Sequence, residues 1–81
     1  MSELDRIRWQ CRRGLLELDL VLERFLRENS ERLTSVELEV FRRLLAVSDN
    51  ELWDWISGRA DPNDPALTEL IARLRAIRYA A

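Results

Sequence analysis

The chain has 81 residues, of which 47% are apolar and 35% are charged, and its net charge is −2. A chain of this length forms one small domain and has no room for a deep, enclosed active site. The apolar and charged fractions suit a helical bundle, and the two glycines and two prolines leave few turns between long regular segments.

Several chemistries are excluded by the residue types that the chain lacks. Histidine and lysine are absent, and cysteine occurs once. This excludes a disulfide within the chain, a Ser/His or Cys/His catalytic pair, lysine Schiff-base chemistry and the usual zinc ligands. The negative net charge argues against nucleic-acid binding, which relies on neutralising many phosphates. No apolar run approaches the roughly 20 residues that span a membrane, so we expect a cytoplasmic protein that does not insert into the bilayer.

Helix 1 is predicted over residues 3–13. Three residues at helical spacing form the stripe that we expect to be buried: Leu4, Ile7 and Cys11. Trp9 points away from this stripe, and Arg6 and Arg13 lie close to Trp9. Tryptophan and arginine are the residue types most enriched at interface hot spots. This face therefore either binds another protein or is covered by another helix.

Gly14 is predicted to join helix 1 to helix 2, because glycine tolerates positive φ and commonly follows a helix end. Arg13 would then close helix 1, and Glu17 would lie in the first turn of helix 2. The predicted core face of helix 2, over residues 15–28, contains Leu15, Leu18, Leu22, Phe25 and Leu26. Leu16 and Leu20 lie outside this face. Either helix 2 is packed on two sides, which we expect, or this leucine pair is exposed near Glu17.

Two residue pairs have the spacing of a capping box: Thr34 with Glu37, and Ser48 with Glu51. The first pair opens helix 3, which runs to about Val47, and the second opens a short helix 4, which Gly58 ends. Trp53 and Trp55 are two residues apart and cannot share one helical face. One of them should therefore lie in the core and the other at its margin.

Helix 5 begins where Asp64 caps it and Pro65 occupies its first position. Its apolar stripe consists of Leu67, Leu70, Ile71, Leu74 and Ile77. Five helices with short joints predict an all-α fold, a single-domain five-helix bundle over residues 1–81. A helix-turn-helix DNA reader is disfavoured, because helix 4 is acidic and would repel phosphates. What remains is a protein that acts by binding another protein, with helix 1 and the Gly14 joint as the expected surface.

Residues 6–19 closely resemble the signature of the succinate dehydrogenase assembly factor family, the small flavinylation factors of bacteria that are related to mitochondrial assembly factor 2. The hallmark of that family is an RGxxE motif, which corresponds here to Arg13, Gly14 and Glu17. The similarity continues through residues 41–45 and 49–58, and it covers about residues 6–74 in the same order.

The resemblance implies a five-helix bundle that binds the flavoprotein subunit of succinate dehydrogenase, and in some bacteria that of fumarate reductase. Such a protein promotes covalent attachment of FAD to a histidine of that subunit, so it has no catalytic or metal-binding residue and no stably bound cofactor of its own. Arg13, Gly14 and Glu17 would contact the partner, and Arg6 and Trp9 would extend the contact. We expect a monomer. The same family has been described as an antitoxin that opposes a small membrane toxin, and this is the alternative function.

Overall fold

The computed structural model describes residues 2–29 and 31–79. Within these ranges it contains five helices and no strand: α1 (Glu3–Gln10), α2 (Leu16–Asn29), α3 (Ser35–Leu45), α4 (Asp49–Ser57) and α5 (Pro65–Tyr79). Helix α5 packs against α2, α3 and α4 and so holds the bundle together. The predicted all-α, five-helix architecture is confirmed. None of the described helices has the length and apolar character of a membrane span.

Local capping fixes where α3 and α4 begin. At α3, the Thr34 hydroxyl accepts a hydrogen bond from the backbone N–H of Glu37 at 3.1 Å, and the Glu37 carboxylate accepts one from the Thr34 N–H at 3.2 Å. This reciprocal pair is the predicted capping box, and it satisfies two N–H groups that the helix itself leaves unpaired. At α4 the described structure shows half of the predicted box, in which the Ser48 hydroxyl accepts from the N–H of Glu51 at 3.2 Å.

The end of α4 and the start of α5 also follow the sequence. Gly58 ends α4 in the left-handed region, at φ +87°. The Asp64 carboxylate accepts a hydrogen bond from the N–H of Ala66 at 2.9 Å and caps α5, in which Pro65 is the first residue. Both predictions are confirmed. These features could be predicted because each depends on residues that are close together in the chain.

One continuous core joins all five helices. Its buried members are Ile7, Cys11, Leu18, Val21, Leu22, Phe25, Leu26, Phe41, Leu44, Leu45, Leu52, Trp55, Ile56, Leu67, Leu70, Ile71 and Leu74. The rings of Phe25 and Phe41 stack with their centroids 5.3 Å apart. Trp55 is buried and Trp53 is only partly buried, which confirms the prediction for this pair. Of the stripe predicted on helix 1, the Leu4 side chain lies outside the described part of the chain.

Helix 2 departs from its prediction. Leu16 is 73% exposed and Leu20 is 56% exposed, so the expectation that this helix is packed on two sides is wrong. The buried residues of α2, including Leu18 and Leu22, all lie on the opposite face of the helix. Leu15, predicted to be in the core, is 44% exposed, because it precedes the first helical residue and does not join that face. The leucine pair is therefore surface area available to another molecule.

Candidate partner-binding site

The connection between α1 and α2 is a tight joint built on Gly14. Gly14 has φ +83°, a region that residues with a Cβ rarely adopt, so the predicted positive φ is confirmed. The Asp19 carboxylate accepts hydrogen bonds from the backbone N–H of Arg13 at 2.7 Å and of Gly14 at 3.3 Å. These bonds replace helical ones, and α1 consequently ends at Gln10 rather than at the predicted residue 13.

Arg13 turns inward from this joint. Its Nε donates to the Asp49 carboxylate, and its two terminal nitrogens donate to the backbone carbonyls of Leu45, at 2.8 Å, and of Val47. The side chain is only 12% exposed. Arg13 therefore does not close α1 as predicted; it caps the C-terminal carbonyls of α3, where a cation also suits the negative end of the helix dipole. A direct contact between Arg13 and a partner stays a prediction.

Gly14 and Glu17, in contrast, face solvent. A Cβ built on Gly14 would meet nothing within 4 Å, so a partner can approach the backbone closely at this point. Glu17 lies in the first turn of α2, and its carboxylate has no hydrogen-bond partner among the described residues. It is thus free to accept charge-assisted hydrogen bonds.

The outer face of α1 carries the other two predicted contact residues. Arg6 is exposed and Trp9 is 65% exposed, so no described helix covers the tryptophan. The guanidinium of Arg12 lies 5.8 Å from the centre of the Trp9 ring, a distance typical of a cation–π contact. Trp9 and Arg12, with Asp5 and Arg8, line an open hollow of about 460 Å³.

Sequence reasoning missed two residues around the joint, Asp19 and Asp49, which hold Arg13 and Gly14. It named the exposure of Leu16 and Leu20 beside Glu17 only as the less favoured alternative, and that alternative is the one observed. Asp19 follows Gly14 closely, so its acidic character at the start of a helix was a usable signal. Asp49 gave no such signal, because it lies 36 residues from Arg13 in the chain.

The one thiol of the chain lies in the core of the bundle. Cys11 is buried, and burial raises the pKa of its thiol to about 12, so it remains protonated and unreactive at neutral pH. No group of three or more metal-ligating residues occurs within residues 2–29 and 31–79. What the surface offers is a fixed joint, with an exposed tryptophan in the helix before it and two exposed leucines in the helix after it, and tryptophan is a residue type enriched at binding hot spots.

A small helical bundle with this surface has the features of a protein-binding module. The particular family follows from comparison with known proteins. The chain belongs to the Sdh5 family, described as flavinator of succinate dehydrogenase, whose sequence profile matches residues 5–78. The predicted family membership is confirmed.

Individual relatives agree with this assignment. The chain is 43% identical over 70 residues to the FAD assembly factor SdhE of Coxiella burnetii, which covers 86% of this chain and 85% of the relative. It is 43% identical over 77 residues to the SdhE of Methylococcus capsulatus, covering 95% and 93%, and 41% identical over 73 residues to that of Legionella pneumophila (strain Lens), covering 90% and 91%. The comparison with solved structures gave no match.

Proposed function

We propose that this chain is an assembly factor that binds the flavoprotein subunit of succinate dehydrogenase and promotes the covalent attachment of FAD to that subunit. The observation that carries the proposal is the family match over residues 5–78. Relatives that align with nearly the whole chain bear the name FAD assembly factor. Nothing in the family or in these relatives supports the antitoxin alternative.

The proposed partner-binding surface comprises the Gly14 joint and its exposed surroundings. Its residues are Arg6, Trp9, Gly14, Leu16, Glu17 and Leu20, all of them exposed. Gly14 allows close backbone approach, and Glu17 supplies a carboxylate for charge-assisted hydrogen bonds. Trp9 and the leucine pair supply apolar area. Burial of apolar area is the main favourable contribution to the binding free energy in most protein–protein interfaces.

The proposed mechanism is a shift in the conformational population of the flavoprotein. The flavoprotein has one conformation in which the flavin and its acceptor histidine meet and another in which they do not. The assembly factor binds the first more tightly, and the ratio of its two affinities sets how far the equilibrium shifts. The bond-forming chemistry belongs to the flavoprotein. In this proposal the chain is not an enzyme, holds no FAD stably and acts as a cytoplasmic monomer, and the flavoprotein subunit of fumarate reductase is a second partner.

The test is reconstitution with purified components. The apo-flavoprotein subunit is incubated with FAD with and without this chain, and covalent FAD is read as in-gel fluorescence after denaturation. We expect the chain to accelerate the appearance of the fluorescent band. Equal rates with and without the chain would refute the proposal. The fumarate reductase subunit is run in parallel, so that the second partner is tested independently of the first.

A further inference from the structure

Arg13 fastens the α1–α2 joint to a distant part of the bundle. Each of its three guanidinium nitrogens donates to an acceptor at the junction between α3 and α4, namely Leu45, Val47 and Asp49. Because the side chain is only 12% exposed, little of it is available to another protein. All three bonds are charge-assisted, because the guanidinium donor is ionised, and such bonds are about twice as strong as neutral ones; Asp49 adds the one charged acceptor.

Asp19 fastens the same joint from the other side. Its two carboxylate oxygens accept from the consecutive N–H groups of Arg13 and Gly14, at 2.7 and 3.3 Å. A glycine joint loses much conformational freedom when it becomes ordered, and these two bonds hold it in its left-handed conformation. Arg13, Asp19 and Asp49 together form what we call the Arg13 clamp.

The clamp fixes the orientation of the exposed residues of the joint, Gly14 and Glu17. Both residues are exposed, and the Asp19 carboxylate holds the backbone N–H of Gly14. A surface that is already ordered before binding loses less conformational entropy when the partner docks. The arginine of the motif therefore contributes to binding through the fold, although its charge suggests direct contact.

We propose that Asp19 and Asp49 are positioning residues of the partner-binding site. They fix the Arg13 side chain against the bundle and hold the Gly14 joint in one conformation. Glu17 and the Gly14 backbone then meet the flavoprotein in one fixed geometry. This inference rests on the proposed function and adds two residues to it, which act through Arg13 and the Gly14 joint. It also assigns Arg13 an internal role in place of a partner contact.

The test is a double-mutant cycle on affinity for the apo-flavoprotein subunit, measured by calorimetry at a temperature where circular dichroism shows every variant folded. We expect Arg13→Ala and Asp49→Ala each to weaken binding about tenfold and the double variant to be no weaker than Arg13→Ala alone, because both changes open the same clamp. Asp49→Asn should regain most of the affinity, since the amide oxygen still accepts from Arg13. Asp19→Ala should weaken binding by a similar factor.

Glu51→Ala is the matched control, because Glu51 is an exposed acid in the same first turn of α4 as Asp49 and lies outside the clamp. It should bind as the wild type does. Wild-type affinity of both Asp19→Ala and Asp49→Ala, together with weak binding by Arg13→Ala, would show that Arg13 contacts the partner and would overturn the inference. Additive losses in the double variant would also overturn it. Failure of the wild-type chain to bind would instead refute the proposed function. If an alanine variant does not fold, Arg13→Lys and Asp49→Asn take its place in the cycle: Arg13→Lys should weaken binding and the added Asp49→Asn should weaken it no further, whereas additive losses would overturn the inference.

Discussion

Gly14→Arg separates the folding of the bundle from its proposed function. Gly14 is exposed, has φ +83°, and leaves open space around the position of a Cβ. An arginine there meets no atom of the chain near its Cβ, and its cost to folding is the backbone strain alone. The new side chain projects onto the surface where we propose that the flavoprotein approaches. We therefore expect a folded protein that does not support covalent attachment of FAD.

The size of the folding cost follows from the backbone. A residue with a Cβ in the left-handed region costs roughly 1–2 kcal/mol, and each kcal/mol lowers the melting temperature of a domain of this size by about 4–8 °C. A small domain has a free energy of unfolding of about 5 kcal/mol or more. About 3 kcal/mol therefore remains, which keeps about 99% of the molecules folded at 25 °C.

Gly58→Arg is the matched control, because Gly58 has φ +87° and equally open surroundings but lies at the end of α4. Both variants should lose similar thermal stability in a circular dichroism melt. In the in-gel fluorescence assay, Gly14→Arg should fall to the level seen without assembly factor, whereas Gly58→Arg should match the wild type. Normal flavinylation by Gly14→Arg, or an equal loss in both variants, would refute the reasoning.

Three further outcomes are expected. Trp9→Ala should change the free energy of unfolding by less than about 0.5 kcal/mol, because the side chain is 65% exposed. It should weaken partner binding by about 2 kcal/mol, roughly 30-fold in calorimetry, whereas Val36→Ala in α3, at a side chain that is 73% exposed, should bind normally. The Cys11 thiol, whose pKa burial raises to about 12, should resist iodoacetamide at pH 8 until the protein is unfolded; complete labelling of the folded protein, read by mass spectrometry, would contradict this. A backbone hydrogen bond from Thr34 lowers the pKa of Glu37 below its ordinary value of 4.5, so the unfolded chain takes up more protons in acid and stability falls as the pH drops below about 4.5. Glu37→Gln should flatten this decline in the melting temperature, and an unchanged slope would exclude Glu37 as its source.

The helix starts and ends that were predicted correctly share one property: their signals are local. The Thr34–Glu37 box and the Asp64 cap each involve groups two or three residues apart, and a chain pattern of that length is visible without a structure. The buried stripe of α5 was equally visible, because the spacing of its leucines and isoleucines matches the helical period.

The predictions that failed depend on which other parts of the chain pack against a residue, and not on which face of its helix the residue lies. Periodicity placed Leu16 and Leu20 on their own side of helix 2, but it could not show whether another helix would cover that side, and none does. The length of α1 failed for a related reason. The Asp19 carboxylate takes the N–H of Arg13 from six residues further along the chain, and no helical signal within α1 reports that competition.

The sequence by itself determined the number and order of the five helices, the residues that begin α3, α4 and α5, and the positive φ of Gly14, because all of these depend on residues within about one or two helical turns. Only the tertiary structure decided what the motif residues do. The α3–α4 junction and the joint come together through packing of the bundle, and Asp49 meets Arg13 across 36 residues of chain. That contact turns the arginine inward and leaves Gly14 and Glu17 at the surface.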